Sequence, residues 1–214
     1  MNMYKMHRGQ KGITGLETAI ILIAFVVVAA VFAYTALSAG LFSTQKSSEA
    51  VYSGLKEARS TMELKGAVVA TANTTGATGT IKQVSFIVSN VLGGEGIDFT
   101  APTAGSATGL AAANSDNKVV ISYIDQDQKY NDLYWTITKL GDADADNLLE
   151  QNEKFEVVIG SATAGSGAGN LIDALGTDLT INKTFTIEVK PPVGAVLNIE
   201  RTTPPYIDTI MNLH

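Results

Sequence analysis

From Thr18 to Gln45 the chain carries no charged side chain. The core of that run, TAIILIAFVVVAAVFAYTALSAGLF, is longer than the ~20 apolar residues a helix needs to cross a bilayer. A helix built from it is apolar all round, with no face reserved for water. It must therefore be covered by lipid or by other helices. Three positive charges (Lys5, Arg8 and Lys11) and no acid lie in the first twelve residues, ahead of the run, which predicts an N-terminus on the cytoplasmic side. A signal-anchor helix or a secretory signal peptide is the simplest reading. Against it, an ordinary signal h-region has about 7–15 apolar residues and a small-residue cleavage site, whereas this run is far longer and no A-x-A site closes it.

The head of the run, RGQKGITGLETAI, adds a second constraint: a single carboxylate, Glu17. A charge at the centre of a membrane helix costs about 2.5–3.5 kcal/mol, and less near the interface. A buried charge left unmatched is heavily penalised, so Glu17 asks for a partner and can serve as a register device. If the chain is cut between Gly12 and Ile13, Glu17 becomes the fifth residue. The new α-amino group is then a natural cation for the Glu17 carboxylate of a neighbouring copy.

The stretch KGITGLETAIILIAFVVVAAVFAYTALSAGLFSTQ resembles the N-terminus of the archaellins, the archaeal flagellins built on the type IV pilin plan. The resemblance implies cleavage by a prepilin-type peptidase after Gly12, with Lys11 before the cut and Ile13 after it, and an assembly role for Glu17. It further implies insertion in the cytoplasmic membrane before assembly, then a helical homopolymer on the cell surface. That filament would be driven by the archaellum motor, and other archaellins could join it. Type IV-like adhesive pilins share this leader logic and are the nearest alternative.

The helical pattern continues past the run. Val51, Leu55, Ala58 and Met62 recur at spacings of four, three and four, which places them on one helical face. Arg59 and Glu63 are spaced for an i,i+4 pair, and Gly66 fits a C-terminal stop. The expected organisation is a leader over residues 1–12, one helix over 13–65 about 78 Å long, and an outer domain over 66–214. Within the helix, Ala29, Ala33, Ala36 and Gly40 give the small-xxx-small spacing that lets helix backbones approach closely.

Beyond Gly66 the periodicity changes to two. Leu179, Ile181, Phe185, Ile187 and Val189 alternate with polar residues, as do Phe155, Val157 and Ile159, and Ala195, Leu197 and Ile199. VSFIV, VVISYI and LYWTITKL are further strand candidates, separated by Gly-rich turns. The fold class expected is α+β, one long N-terminal helix followed by an antiparallel β-sandwich. The archaellin resemblance implies an immunoglobulin-like one.

The segment GDADADNLLEQNE sets Asp142, Asp144, Asp146, Leu148 (through its carbonyl), Glu150 and Glu153 at positions 1, 3, 5, 7, 9 and 12 of a twelve-residue loop. That is the ligand order of a calcium loop, here between strands and with Asn147 where glycine is usual. It predicts a structural Ca2+ (or Mg2+) site, against the plainer reading of an acidic hairpin tip. Asn73-Thr74-Thr75 and Asn182-Lys183-Thr184 fit the N-glycosylation acceptor pattern. Asn182 sits on the polar phase of its expected strand.

Other chemistry is limited. There is no cysteine and only two histidines, His7 and His214, so thiolate metal sites are impossible and a histidine triad or zinc site is a poor fit. The chain carries −6. Without residues 1–12 it has 12 basic and 21 acidic residues, or −9, which gives no footprint for nucleic acid. Glu150 and Glu153 could in principle act on glycosides, but a ligand set explains them more simply. The reading is a non-enzymatic filament subunit with no organic cofactor. A membrane-anchored surface enzyme or binding module is the reading from another class.

Overall fold

The computed structural model describes residues 11–91, 95–105, 108–160 and 170–213, leaving aside the side chains of residues 11–14 and 57–59. It divides into two compact units, Met1–Ser53 and Gly54–His214. The first is helical. Helix α1 runs from Lys11 to Arg59, roughly 73 Å at 1.5 Å per residue. Its uncharged run closes at Lys46, which pairs with Glu49 at 2.6 Å one turn on.

The helix ends six residues before the expected Lys65, and strand β1 begins at Met62 and runs to Thr74. The boundaries at 65 and 66 are therefore corrected to 59 and 62. Long-range pairing overrides the helical spacing: Met62, Glu63, Leu64 and Lys65 align antiparallel with Asn90, Ser89, Val88 and Ile87 of β2 (Thr80–Asn90). Met62 is buried in the sandwich, while Val51 and Leu55 remain exposed on the helix. Glu63 pairs with Lys65, two residues along the same strand face, at 2.5 Å. Gly66 does adopt a left-handed φ of 75°, but as part of a β-bulge between Lys65 and Val69.

The remaining strands are β3 (Ile97–Asp98), β4 (Val120–Asp125), β5 (Lys129–Tyr130), β6 (Trp135–Leu140), β7 (Leu148–Leu149), β8 (Lys154–Ile159), β9 (Thr184–Lys190), β10 (Leu197–Thr202) and β11 (Ile210–Leu213), with a short helix α2 at Leu171–Ala174. They form a five-stranded sheet ordered β11-β1-β2-β8-β6, a four-stranded sheet ordered β10-β9-β4-β5, and a β3-β7 ribbon. Among the described residues every strand pairing is antiparallel.

One apolar core joins the two sheets, fed by Val84, Phe86 and Val88 from one and by Ile121, Ile187 and Val189 from the other. This is the two-layer plan of an immunoglobulin-like sandwich. At its centre Phe99 meets Trp135 and Phe155 edge-on, with ring centroids 5.9 and 6.0 Å apart. Strand alternation explains the layering, since every second residue of β8 and β9 (Phe155, Val157, Ile159; Phe185, Ile187, Val189) points inward.

Strand β9 starts later than the alternation suggests. Leu179 is buried, but Ile181 and Asn182 form a turn in which Asn182 has φ 52°. Thr203 secures it: its hydroxyl accepts the Lys183 N–H at 2.8 Å and donates to the Thr180 carbonyl at 2.6 Å. The Gly-rich stretch before β4 is also more ordered than its composition suggests. Gly109 is buried, its carbonyl accepts the Tyr134 N–H at 2.9 Å, and Leu110 bridges to Leu133.

Candidate assembly surface and outer-unit sites

From Leu16 to Leu55 every large apolar side chain on α1 is between 51% and 74% exposed. The helix over Gly15–Lys56 is long and apolar enough to cross a membrane, with a mean hydropathy of 2.8 in its most apolar 18 residues. Gly40 sharpens the point. A mid-helix glycine costs about 1 kcal/mol relative to alanine, yet a Cβ built there meets no atom within 4 Å. Nothing in the described part of the chain requires a small residue at that position, whereas close approach of another helix would. Glu17 is exposed near the start of this surface. The backbone is helical through Lys11, Gly12 and Ile13; residues 1–10 and the side chains at 11–14 lie outside the described residues.

The acidic segment 142–153 does not gather its six predicted ligands. Among the described residues no three acidic or histidine side chains are grouped to hold a metal ion. The carboxylates instead serve the hairpin's own backbone. Glu153, 9% exposed, accepts the N–H of Asp144 through Oε1 at 3.0 Å and that of Glu150 through Oε2 at 2.8 Å. Asp144 Oδ1 accepts the Asp146 N–H at 2.9 Å, and Asp146 Oδ1 accepts the Leu148 N–H at 2.8 Å. The D-x-D-x repeat thus builds successive Asx turns, which use the same spacing as a calcium loop for local hydrogen bonds.

Both predicted glycosylation acceptors are exposed. Asn73 lies near the end of β1 with Nδ2 3.4 Å from Thr80 Oγ1. Asn182 occupies the left-handed turn before β9, not the polar phase of a strand.

One polar network was not anticipated. Asp125 ends β4 and accepts the Tyr123 hydroxyl at 2.8 Å, the N–H groups of Asp127 and Gln128 at 2.7 and 2.8 Å, and the Gln128 side-chain amide at 3.1 Å. Burial pushes its carboxyl upward, but these donors together outweigh burial and hold it below the ordinary carboxylate value. Burial, reinforced by Asp125, raises the Tyr123 phenol. Gln128 also donates to the Thr177 carbonyl at 2.6 Å, and Lys183 pairs with Asp127 at 2.6 Å. The D-x-D-Q string at 125–128 carries the turn signal, but its partners Thr177 and Lys183 are about fifty residues away.

A membrane-length helix exposed on all sides, joined to a sandwich that buries its own core, is the plan of a pilin-like filament subunit. The model of the archaeal-type flagellin family matches residues 12–201, and the chain belongs to that family. It is 41% identical over 212 residues to "Probable flagellin 1" of Archaeoglobus fulgidus, covering 96% of each chain, and 38% identical to that organism's "Probable flagellin 2", covering 94% of this chain and 93% of the relative. Among solved structures it is similar to the archaeal flagellum of Methanospirillum hungatei strain JF1. The identity is 30% and the TM-score 0.62, with 93% of this chain and 98% of that chain covered.

Proposed function

We infer that the chain is a structural subunit that polymerises with copies of itself into an extracellular archaellum filament used for swimming. The observation that carries this reading is the uncharged Thr18–Gln45 run of α1, exposed on every side, and the room at Gly40 for close approach of a second helix supports it. Packing of α1 between copies buries that surface and forms the filament core. The sandwich, whose core needs no partner, forms the exterior. The role is mechanical: torque from a membrane motor passes along the packed helices.

Assembly is preceded by insertion of α1 in the cytoplasmic membrane and by cleavage between Gly12 and Ile13 by a prepilin-type peptidase. The freed α-amino group of Ile13 then pairs with Glu17 of a neighbouring copy and sets the helix register. The test is an intact and N-terminal mass analysis of filaments sheared from cells. A chain that begins at Ile13 and retains α1 is expected, with any excess mass located at Asn73 or Asn182. A chain that still begins at Met1, or that has lost α1 as well, refutes the reading.

A further inference from the structure

The sandwich grips the foot of the helix through Ser60 and Thr61, the two residues between α1 and β1. The Ser60 N–H donates to the Lys56 carbonyl at 3.0 Å, and the Val91 N–H, just after β2, donates to the Thr61 carbonyl at 3.0 Å. From the other sheet, the β9–β10 turn brings Gly194 against Ser60. Its φ is 104°, and a Cβ there would overlap the Ser60 carbonyl oxygen. Pro191 and Pro192 stiffen the approach to this turn.

The side chains held there are apolar and face outward. Val91 and Val193 are each 38% exposed, Val196 is 46% and Leu55 is 51%. A hairpin tip on a filament exterior is ordinarily polar, yet PPVGAV at 191–196 has no polar side chain. The adjacent charges, Lys56 and Glu95, are paired with each other at 3.1 Å.

We propose that this apolar collar (Leu55, Val91, Val193 and Val196) is a docking surface for a second copy of the same chain in the filament. The proposal rests on the filament reading, and two observations select the occupant. Leu55 belongs to the same helix as the exposed run that self-assembly must cover, so the collar begins on that helix. The collar is also uncharged in a chain that carries −9 beyond residue 12. It therefore matches the uncharged Thr18–Gln45 run of another copy and not the acidic exterior.

The chain has no cysteine, so single cysteines report on burial without background. Val193→Cys and Val196→Cys would be compared with Ala113→Cys, exposed on the loop between β3 and β4. Each is labelled with a polar maleimide in intact filaments and again after detergent dissociation. At 193 and 196 labelling is expected to be roughly tenfold slower or more in the filament, and at 113 to change less than about twofold. Equal labelling at all three positions would overturn the collar while leaving the filament reading intact. Absence of filaments from the wild-type chain would overturn both. A second variant, Val196→Thr, keeps the side-chain size and the fold. Its filaments are expected to dissociate at lower detergent concentration than wild type, and equal resistance would count against the collar.

Discussion

Replacing Glu153 by alanine separates two uses of the acidic hairpin. In the structure its carboxylate is nearly buried and holds two backbone N–H groups, those of Asp144 at 3.0 Å and Glu150 at 2.8 Å. A hydrogen bond to a charged acceptor contributes about 1.5–3 kcal/mol. Asp144 and Glu150 are exposed, so their freed amides regain water and the cost sits at the low end. Removing one negative charge from a cluster of five also relieves some repulsion, by a few tenths of a kcal/mol per exposed neighbour. The net expectation is a loss of about 1–3 kcal/mol, or roughly 3–10 °C in Tm for a unit of this size. Glu153→Gln keeps one acceptor oxygen and should lose about half as much. The assay is thermal unfolding of dissociated full-length subunits, with and without chelator and with added Ca2+ or Mg2+. Hydrogen bonding alone predicts the same Tm for the wild type in all of these buffers. If chelation lowers the wild-type Tm and Glu153→Ala removes that sensitivity, the carboxylates are metal ligands. The backbone-capping account would then be wrong.

Phe99→Ala removes the ring that meets both Trp135 and Phe155 edge-on and should destabilise the sandwich by about 3–5 kcal/mol, measured by urea unfolding with Trp135 fluorescence as the probe. Asp125 binds protons less readily in the folded chain than in the unfolded one. Its contribution is therefore full above the unfolded value of 3.8 and is lost as pH falls through the lower folded value. Urea midpoints of the wild type should fall across that acid range, and Asp125→Asn should flatten this part of the profile while lowering the midpoint at neutral pH. Gly194→Ala forces a Cβ onto the Ser60 carbonyl at φ 104° and should cost about 1–3 kcal/mol. A thermal melt indistinguishable from wild type would show that the β9–β10 turn is free to move away from the helix foot.

What could be read from the sequence depended on the range over which each residue's partner lies. The helix was legible because its signal is the absence of charge over Thr18–Gln45, which needs no knowledge of the rest of the chain. The strands β8 and β9 were legible for a similar reason: inward alternation at 155–159 and 185–189 is local, and both faces are defined by neighbours in the same segment. Residues 62–65 were misread because Met-Glu-Leu-Lys satisfies helical spacing as well as strand alternation. The deciding contacts are with Ser89 and Asn90 across a turn, and those residues carry no mark of that pairing. The acidic loop shows the same limit in chemical form. Aspartates at every second position suit a cation and suit Asx turns equally, and nothing in that spacing reveals that the Glu153 carboxylate accepts two backbone amides. The assembly surface is the opposite case. Its partner is another copy of the same chain, so both halves of the interface are written in one sequence. A mid-helix glycine with no neighbouring atom among the described residues is what close packing of a second chain would leave in one sequence.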